Sequence, residues 1–219
     1  MAKQIWKPGT LVAPIPPMLV SCGTMESPNI ITAAWCGNVN SVPAKAYISV
    51  RPERYSYNLI KESGEFVLNL PTEKLLKAAD WCGVRSGRDY RKFDEMGLTA
   101  EPCSKVSAPQ IGECPITLEC KVCQIIPLGS HDMFLADVVA VNVDDSLLDA
   151  GGALHMERAD LVAYAHGQYF ALGKSLGHFG FSVKKKSTAK KEAARKAAGK
   201  SAGRPTEGKS YAGKPTKKK

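Results

Sequence analysis

Residues 116–143, ITLECKVCQIIPLGSHDMFLADVVAVNV, contain the pattern that decides the fold of this 219-residue chain. In their first half, apolar side chains recur at every second position from Ile116 to Val122. Successive side chains of a strand point to opposite sides, so this alternation predicts a strand buried on one side. The opposite side carries Thr117, Glu119, Lys121 and Cys123. Beyond the turn-forming residues Pro127 to Ser130, DMFLADVVAVNV has the composition of a partner strand.

Outward from this pair, three earlier runs also have the composition of strands. They are NIITAAWC at 29–36, AYISV at 46–50 and EFVLNL at 65–70, each short, apolar and bounded by Asn, Pro or Gly. Three short helices are predicted at 52–64, 72–83 and 88–97. The helix starts are marked by Pro52 and by Thr72 as an N-cap, and the helix ends by Gly64, Gly83 and Gly97.

The order of these elements indicates the fold class. We count seven or more strands and a cluster of helices between residues 53 and 97. The regular strand–helix alternation of a doubly wound parallel sheet is missing. The chain is therefore predicted to be mainly β, an antiparallel barrel with short α insertions.

Charge separates the chain into two regions. The formal net charge is +9, but residues 184–219 hold 14 Lys and Arg against two Glu. That leaves 16 basic and 19 acidic residues, a net of −3, in residues 1–183. The segment 184–219 has almost no large apolar side chain, so we expect a disordered Lys-rich tail. Such a tail is either a solvated appendage or a weak, non-specific contact for nucleic acid.

Residues 1–183 are enough for one domain with a sizeable core. The early apolar run TLVAPIPPMLVSCG is broken by three prolines and is too short to span a bilayer. No basic region leads into it as in a signal peptide, and an odd number of cysteines, seven, is most simply explained by reduced thiols. We therefore expect a cytoplasmic protein with no membrane span.

The basic stretch CGVRSGRDYRKF, residues 82–93, is a candidate anion site. Its cations are Arg85, Arg88, Arg91 and Lys92. Gly83 is predicted to end one helix and Asp89 to begin the next, and both glycines and helix starts present backbone N–H groups to an anion. The stretch fits a loop that holds one phosphate, or else an exposed loop with surface cations. It is not a GxGxxG fingerprint, because Gly83 and Gly87 are four residues apart.

A second candidate anion site lies at ISVRPERYS, residues 48–56. A predicted strand ends at Arg51, and a helix with Tyr55 and Ser56 in its first turn follows. A guanidinium, hydroxyl groups and a helix N-terminus would converge there, although ordinary capping and surface charge give the same pattern. Two such sites within 45 residues indicate one ligand with a phosphate and a larger body.

Cysteine and histidine offer weaker alternatives. Cys103, Cys114, Cys120 and Cys123 fall within 21 residues. Only the last two have the pair spacing of a structural zinc site, and on a strand they point to opposite sides. Basic neighbours that lower the pKa of Cys82 would make it a redox thiol. His131 follows a Gly-Ser turn and is either a turn-capping residue or a catalytic one.

Four segments together resemble the flavin reductase-like family, and specifically its flavoredoxin branch. They are NIITAAWCGNVNSVPAKAYISVRPERYSYNLIKESGEFVLNLP (29–71), CGVRSGRDYRKFDEMGL (82–98), LGSHDMFLADVVAV (128–141) and HGQYFALGKSLGHFGFSVKK (166–185). The resemblance runs from about residue 8 to residue 183. It implies a Greek-key, FMN-binding split β-barrel domain, residues 1–183, that forms a homodimer and leaves the tail 184–219 outside.

The resemblance also implies roles for individual residues. The strand that lines the isoalloxazine ring matches Thr32, Ala33, Ala34 and Trp35, and the loop beyond it matches Asn38 and Asn40. The ribityl and phosphate corner matches Ser49, Val50, Arg51, Tyr55 and Ser56, and the phosphate loop matches Ser86, Gly87 and Lys92. His131 matches the histidine of a Gly-Asp/Ser-His motif, close to where a nicotinamide would stack. Cys36 is a departure, because relatives often carry Thr or Pro there.

The function implied is that of an FMN-dependent oxidoreductase, an NAD(P)H:flavin reductase. It would pass electrons through FMN to free flavin, a partner protein or a metal ion, with no obligatory side-chain acid or base and no bound metal. NADH or NADPH would bind transiently over the flavin, because the sequence has no separate dinucleotide domain. Two alternatives stay open: a flavoredoxin-type electron carrier without NAD(P)H activity of its own, and a nucleic-acid-associated protein that acts through the tail.

Overall fold

The computed structural model describes residues 1–183. Eleven strands lie in that range: β1 (Met18–Gly23), β2 (Pro28–Ala33), β3 (Cys36–Ser41), β4 (Ala44–Val50), β5 (Glu65–Asn69), β6 (Ala100–Glu101), β7 (Gln110–Ile111), β8 (Ile116–Pro127), β9 (Asp132–Val143), β10 (Val162–Ala165) and β11 (Gln168–Ala171). The α-helices in the same range are α1 (Tyr55–Ser63), α2 (Leu76–Val84) and α3 (Lys92–Met96). Single 3-10 turns lie at Glu73–Leu75, Asp145–Leu147, Met156–Arg158 and Phe181–Val183.

One antiparallel sheet of seven strands, in the order β2-β1-β5-β8-β9-β4-β3, dominates the structure. Its two edge strands, β2 and β3, are consecutive in the chain with only Ala34 and Trp35 between them. The sheet therefore curls until its edges meet, and the Ser49 N–H donates to the Trp35 carbonyl oxygen at 2.8 Å beside that junction. Such closure limits the unpaired backbone that an open sheet exposes. The predicted mainly β barrel is confirmed.

The strand pair predicted from residues 116–143 lies at the centre of this sheet. It runs from the Ile116–Val143 pair to the Pro127–Asp132 pair, with register shifts after Glu119 and after Val122. The predicted polar side of β8 differs from expectation, because Thr117 and Glu119 are both buried. The reason is tertiary: the segment 103–111 covers that side of the sheet and supplies hydrogen-bond donors to Glu119.

The core lies inside the barrel and also beneath the helices. Inside, Val20, Ile48 and Phe134 pack with Ile60 from α1. Outside, α2 and α3 cover the other side of β1 and β2, where Leu19 and its neighbours form a second buried cluster. Because both sides of β1 are covered, apolar residues do not alternate with polar ones along it: Met18, Leu19 and Val20 follow one another, and the two-residue alternation cannot identify such a run as a strand. Sequence analysis missed β1 for this reason.

The boundaries of several predicted elements need correction. NIITAAWC is divided into β2 and β3, because the chain crosses between the two sheet edges at residues 34–35. Helix α1 begins at Tyr55 instead of Pro52, and α3 begins at Lys92 instead of near Asp89. Helix α2 runs through Gly83 to Val84. The glycines at 64 and 97 do end helices as predicted, with left-handed φ angles of 67° and 61°.

Residues 1–173 form one compact unit, ten residues shorter than the predicted domain 1–183. Within the described residues, no helix is both long enough and apolar enough to cross a membrane. All seven cysteines lie in the described range and are free. The predicted disordered tail, 184–219, lies outside the described residues.

Candidate functional site

A cavity of about 290 Å³ opens where the two edges of the barrel meet. The link between β2 and β3 forms one wall, the end of β4 a second, and the β8–β9 turn and β10 the rest. The lining residues are Ile31, Thr32, Ala33, Ala34, Trp35, Ser49, Val50, Arg51, Arg54, His131 and Tyr164. Eight of them were predicted as site residues. The cavity combines an apolar wall with a basic rim, and we call it the slot.

A second cavity, of about 200 Å³, adjoins the slot. It is lined by Ile31, Glu53, Arg54, Tyr55, Ser56, Arg85, Ser86, Gly87, Arg88 and Lys92. Ile31 and Arg54 line both cavities, so the two are neighbours that share these side chains as part of their walls. Four cations face a single acid, Glu53, and this charge balance favours an anion. We call this cavity the basic pocket. The two candidate anion stretches of the sequence thus meet in one place.

Backbone N–H groups add to the positive character of the basic pocket. The first turn of α1 contains Tyr55 and Ser56, whose N–H groups have no intrahelical acceptor. In the opposite wall, the N–H groups of Ser86 and Gly87 donate to no other group within residues 1–183. Arg54 is held by a hydrogen bond from its guanidinium to the Gly83 carbonyl oxygen at 3.1 Å. These donors are the kind that phosphate oxygens accept from.

Lys92 is the deepest of the pocket's cations and is buried. Its ammonium group donates to the carbonyl oxygens of Ile30 at 2.7 Å and of Cys82 at 2.8 Å. An ammonium group has three protons, so one remains for a ligand in the pocket that Lys92 lines. Burial lowers the pKa of Lys92 to about 8, with a smaller contribution from the charge of Arg54. A bound anion would favour the protonated form.

Gly87 stands where a side chain would not fit. A Cβ atom there would overlap the side-chain oxygen of Asn29 and lie 2.6 Å from the Tyr55 ring. Asn29 is itself buried and donates to the hydroxyl of Ser56 at 2.7 Å. The loop 85–88 can therefore approach α1 closely only because residue 87 has no side chain.

His131 lies at the mouth of the slot, at the tip of the β8–β9 hairpin. Its Nδ1 is 2.9 Å from the Ser130 hydroxyl. Burial lowers the pKa of His131, and the charge of Arg51 lowers it further, which favours the neutral ring. The adjacent Asp132 accepts a hydrogen bond from the Tyr57 hydroxyl at 2.6 Å, which fixes the hairpin tip to α1.

Two predicted site residues are not brought to either cavity. Asn38 lines a separate apolar cavity, and the side chain of Asn40 donates to the Pro43 carbonyl oxygen at 2.8 Å in the β3–β4 turn. Thr32 does line the slot, but its hydroxyl already donates a hydrogen bond to the Ala79 carbonyl oxygen on α2.

The redox and metal alternatives find no support in the geometry. Cys82 is fully buried, and burial raises its pKa to about 11 despite the nearby charge of Lys92. The expected lowering of that pKa was therefore wrong. In the part of the chain that the structure describes, no group of three or more His, Cys, Asp and Glu side chains is placed to hold a metal ion.

Sequence reasoning missed three residues of the slot, Ile31, Arg54 and Tyr164. Ile31 lies next to Thr32 within the predicted strand NIITAAWC. Arg54 belongs to both cavities, and its signal was available, since it lies in the same short stretch as Arg51 and Ser56. Tyr164 had no such signal. It reaches the slot because its backbone forms two hydrogen bonds with Ile15, at 3.0 and 2.8 Å, across about 150 residues of sequence. Arg91, by contrast, pairs with Asp94 at 2.7 Å and does not line the basic pocket.

A family model described as "Flavin reductase like domain" matches residues 13–173, which is most of the compact unit. The chain belongs to the flavin reductase like family. The resemblance deduced from the sequence is confirmed, and the family match ends at the same residue, 173, as the compact unit.

Similar proteins agree with this membership. The flavoredoxin of Desulfovibrio vulgaris (Miyazaki F) is 33% identical, with a TM-score of 0.78 over 84% of this chain and 100% of that one. An FMN-binding protein from Thermus thermophilus, at 21% identity, shares the fold with a TM-score of 0.66 over 81% of this chain and 98% of that one. An NADPH-flavin oxidoreductase of Streptomyces viridifaciens is 31% identical over 44% of this chain and 50% of its own length.

Proposed function

We propose that this flavin reductase-like protein is an oxidoreductase that holds FMN across the slot and the basic pocket. The observation that carries the proposal is the junction of the two cavities at Ile31 and Arg54. A flat ring joined to a phosphate by a short chain requires an apolar slit that continues into a group of donors and cations. Residues 1–183 provide both, side by side.

The residues divide the work of binding. The guanidinium of Arg54, the ammonium of Lys92 and the N–H groups of the loop 85–88 would hold the phosphate. The backbone of residues 32–35 and the side chain of Val50 would flank the ring. Bound FMN would supply the redox chemistry, the uptake of a hydride and the release of electrons. The protein then needs only to orient the two reactants and to exclude water.

A nicotinamide would enter at the mouth of the slot, beside His131 and Tyr164. Because the pKa of His131 is lowered by burial and by Arg51, its neutral form is favoured, and it would offer the nicotinamide a polar ring without adding positive charge. We expect the substitution His131→Ala to raise the KM for NADH or NADPH several-fold and to leave the Kd for FMN unchanged. An unchanged KM would remove His131 from the nucleotide contact.

A flavoredoxin-type electron carrier is the second candidate. The similarity to the Desulfovibrio vulgaris flavoredoxin favours it, because that similarity covers the whole of the other chain. A carrier would hold FMN in the same two cavities and take electrons from a partner protein at the mouth of the slot. In both candidates the bound FMN would pass its electrons to a final acceptor, which would be free flavin, a partner protein or a metal ion.

One experiment tests the binding and separates the two candidates. FMN is added in steps to the purified protein, and the visible absorption spectrum is followed, first alone and then with NADH and NADPH without oxygen. A bound-flavin spectrum that bleaches with either nucleotide supports the reductase. The same FMN titration, repeated with variants of the lining residues, maps the binding site. A spectrum that stays oxidised with both nucleotides supports the carrier, and the absence of any bound-flavin spectrum would refute FMN binding itself.

We also propose that the protein is a homodimer. Large apolar side chains are exposed on β3 and β9 and in the segments next to them: Val39, Val42, Val139, Val141, Leu154 and Met156. Val141, Leu154 and Met156 line one apolar cavity, and soluble proteins seldom leave an apolar surface of this kind open to water. Sedimentation equilibrium of the full chain measures the mass directly, and a monomer at micromolar concentration would refute the dimer but not the FMN site.

Two further proposals concern location and the tail. Seven free thiols fit a reducing compartment, so we propose a cytoplasmic protein. The 14 cations of residues 184–219 would give weak, salt-sensitive contact with nucleic acid. Removal of residues 184–219 should abolish retention on an RNA or DNA column at low salt, and retention that persists would exclude the tail as its cause.

A further inference from the structure

Residues 1–14 form a segment that does not pack against the rest of the described chain. All fourteen are exposed, among them Ile5, Trp6 and Val12, and the Trp6 side chain is 71% exposed. One backbone hydrogen bond, from the N–H of Leu11 to the carbonyl oxygen of Gly9, is internal to the segment. We call residues 1–14 the arm. The family match begins at residue 13, so almost all of the arm lies outside it.

The direction of the arm is fixed where it leaves the barrel. Ile15 forms two backbone hydrogen bonds with Tyr164 of β10. The prolines at 14, 16 and 17 restrict the backbone on both sides of Ile15. From Ile15 to Trp6 the extended chain spans roughly 30 Å, which is comparable to the width of a small domain. The arm is therefore long enough to reach a neighbouring molecule.

An apolar cavity of about 300 Å³ also has no occupant from residues 1–183. It lies between β1, β8 and β9 and is lined by apolar residues that include Met18, Leu70, Leu118, Val141, Leu154 and Met156. Val141, Leu154 and Met156 at its rim are also members of the exposed apolar surface on which the proposed dimer rests. The cavity is thus continuous with that surface.

Charge favours the arm as the occupant of this cavity. The arm carries Lys3 and Lys7, on either side of Ile5 and Trp6, and no acid. The segment 144–158, which follows β9 and includes two lining residues, holds four acids against one arginine and one histidine. The rim of the slot, by contrast, is formed by Arg51, Arg54 and His131 and carries the same sign as the arm.

We propose that the arm of one copy of this chain binds a second copy by placing Ile5 and Trp6 in the apolar cavity of that copy. Lys3 and Lys7 then face the acidic segment 144–158 of the second copy. The inference rests on the proposed homodimer and names the contact that holds it together. It is independent of FMN binding, because the cavity is distinct from the slot and the basic pocket.

Sedimentation equilibrium of the full chain and of two variants tests the contact. Trp6→Ala should raise the dimer dissociation constant roughly 30-fold, as the truncation of a central aromatic anchor does. Met25→Ala, in the turn between β1 and β2, is the matched control, since it removes another exposed apolar side chain that does not line the cavity. Equal dissociation constants for Trp6→Ala and the wild type would overturn the proposal.

A charge exchange between two variant chains separates a contact between copies from a contact within one copy. Lys7→Glu and Glu157→Lys should each weaken the dimer when present alone, and an equimolar mixture of the two variants should restore it, because opposite charges then face each other only between copies. Failure of that rescue counts against the proposal. FMN titration of the same variants tests cofactor binding separately from dimer formation. A dimer whose dissociation constant does not change in the arm variants refutes only the arm contact. A monomeric wild type refutes both the dimer and the arm contact. Neither result bears on FMN binding.

Discussion

The ammonium group of Lys92, within the basic stretch 82–93, donates to the carbonyl oxygen of Ile30 at 2.7 Å. Together with the bond to Cys82, this contact joins the basic pocket to β2 and α2. The lysine is therefore a buried structural cation with one proton left for a ligand, and four predictions concern it and its surroundings.

The affinity for FMN should fall as the pH rises through about 8, the pKa of Lys92 in the free protein. A bound phosphate dianion stabilises the protonated ammonium, so binding takes up a proton above that pH. The Kd for FMN, followed by flavin fluorescence, should then rise by up to about tenfold per pH unit. Riboflavin, which lacks the phosphate, is the control, and an equal slope for riboflavin would contradict the assignment. The variant Lys92→Met should lose the slope.

The same lysine should make the stability of the free protein rise with pH, whereas it makes the affinity for FMN fall. The folded pKa of Lys92 is depressed, so between pH 8 and 10.5 the unfolded chain holds a proton that the folded protein has released. The free energy of unfolding of the wild type, relative to Lys92→Met, should therefore increase with pH across that window. Urea unfolding of both proteins at several pH values measures this difference in the free energy of unfolding. A difference that does not change with pH would mean that Lys92 is not buried in solution.

Gly87→Ala should weaken FMN binding and destabilise the protein. The added methyl group would overlap Asn29 and the Tyr55 ring, so the loop 85–88 must move away from α1. Overpacking of this kind costs about 1–3 kcal/mol. Gly173→Ala is the matched control, because nothing lies within 4 Å of a Cβ atom at that position. Thermal unfolding and FMN titration of both variants provide the comparison, and equal effects would refute close packing at residue 87.

Arg54→Ala should weaken FMN binding far more than Arg91→Ala, although both arginines belong to predicted anion stretches. Arg54 lines both cavities, whereas Arg91 is exposed and paired with Asp94. The loss of a charge-assisted hydrogen bond costs about 1.5–3 kcal/mol, or roughly 10- to 150-fold in Kd. If both variants lose the same affinity, general basic charge binds the flavin and the defined pocket does not.

Glu119→Gln should destabilise the barrel by about 2–3 kcal/mol through the loss of hydrogen bonds to a charged group. Burial alone raises the pKa of Glu119, but hydrogen bonds from Ser104, Asn142 and Lys105 together hold it below its usual value. This stabilisation is present at neutral pH and disappears as the pH falls through that lowered pKa. Denaturant unfolding from pH 7 to pH 3 should show this loss of stability in the wild type. The exposed control Glu62→Gln should show the same loss with falling pH as the wild type.

The elements predicted most accurately are those with local signals. The boundaries of β9 match the predicted run 132–143, because the turn before it and its apolar composition are both readable from neighbours in sequence. Helix α1 ends at Gly64 as predicted for the same reason. The strand β1 and the hairpin of β10 and β11 were missed, since burial on both sides or pairing with distant residues leaves no local pattern.

The sequence by itself determined the barrel class and the two basic stretches, because alternation, glycine positions and charge are local properties of the chain, and its resemblance to known proteins indicated the family. Only the tertiary structure decided which cations share a cavity. It buries Lys92, leaves Arg91 in solvent and brings Arg54 to the junction of slot and pocket. It also brings Tyr164 to the slot through its pairing with Ile15. Such convergence depends on how the sheet closes on itself, and a linear pattern of residues does not contain that information.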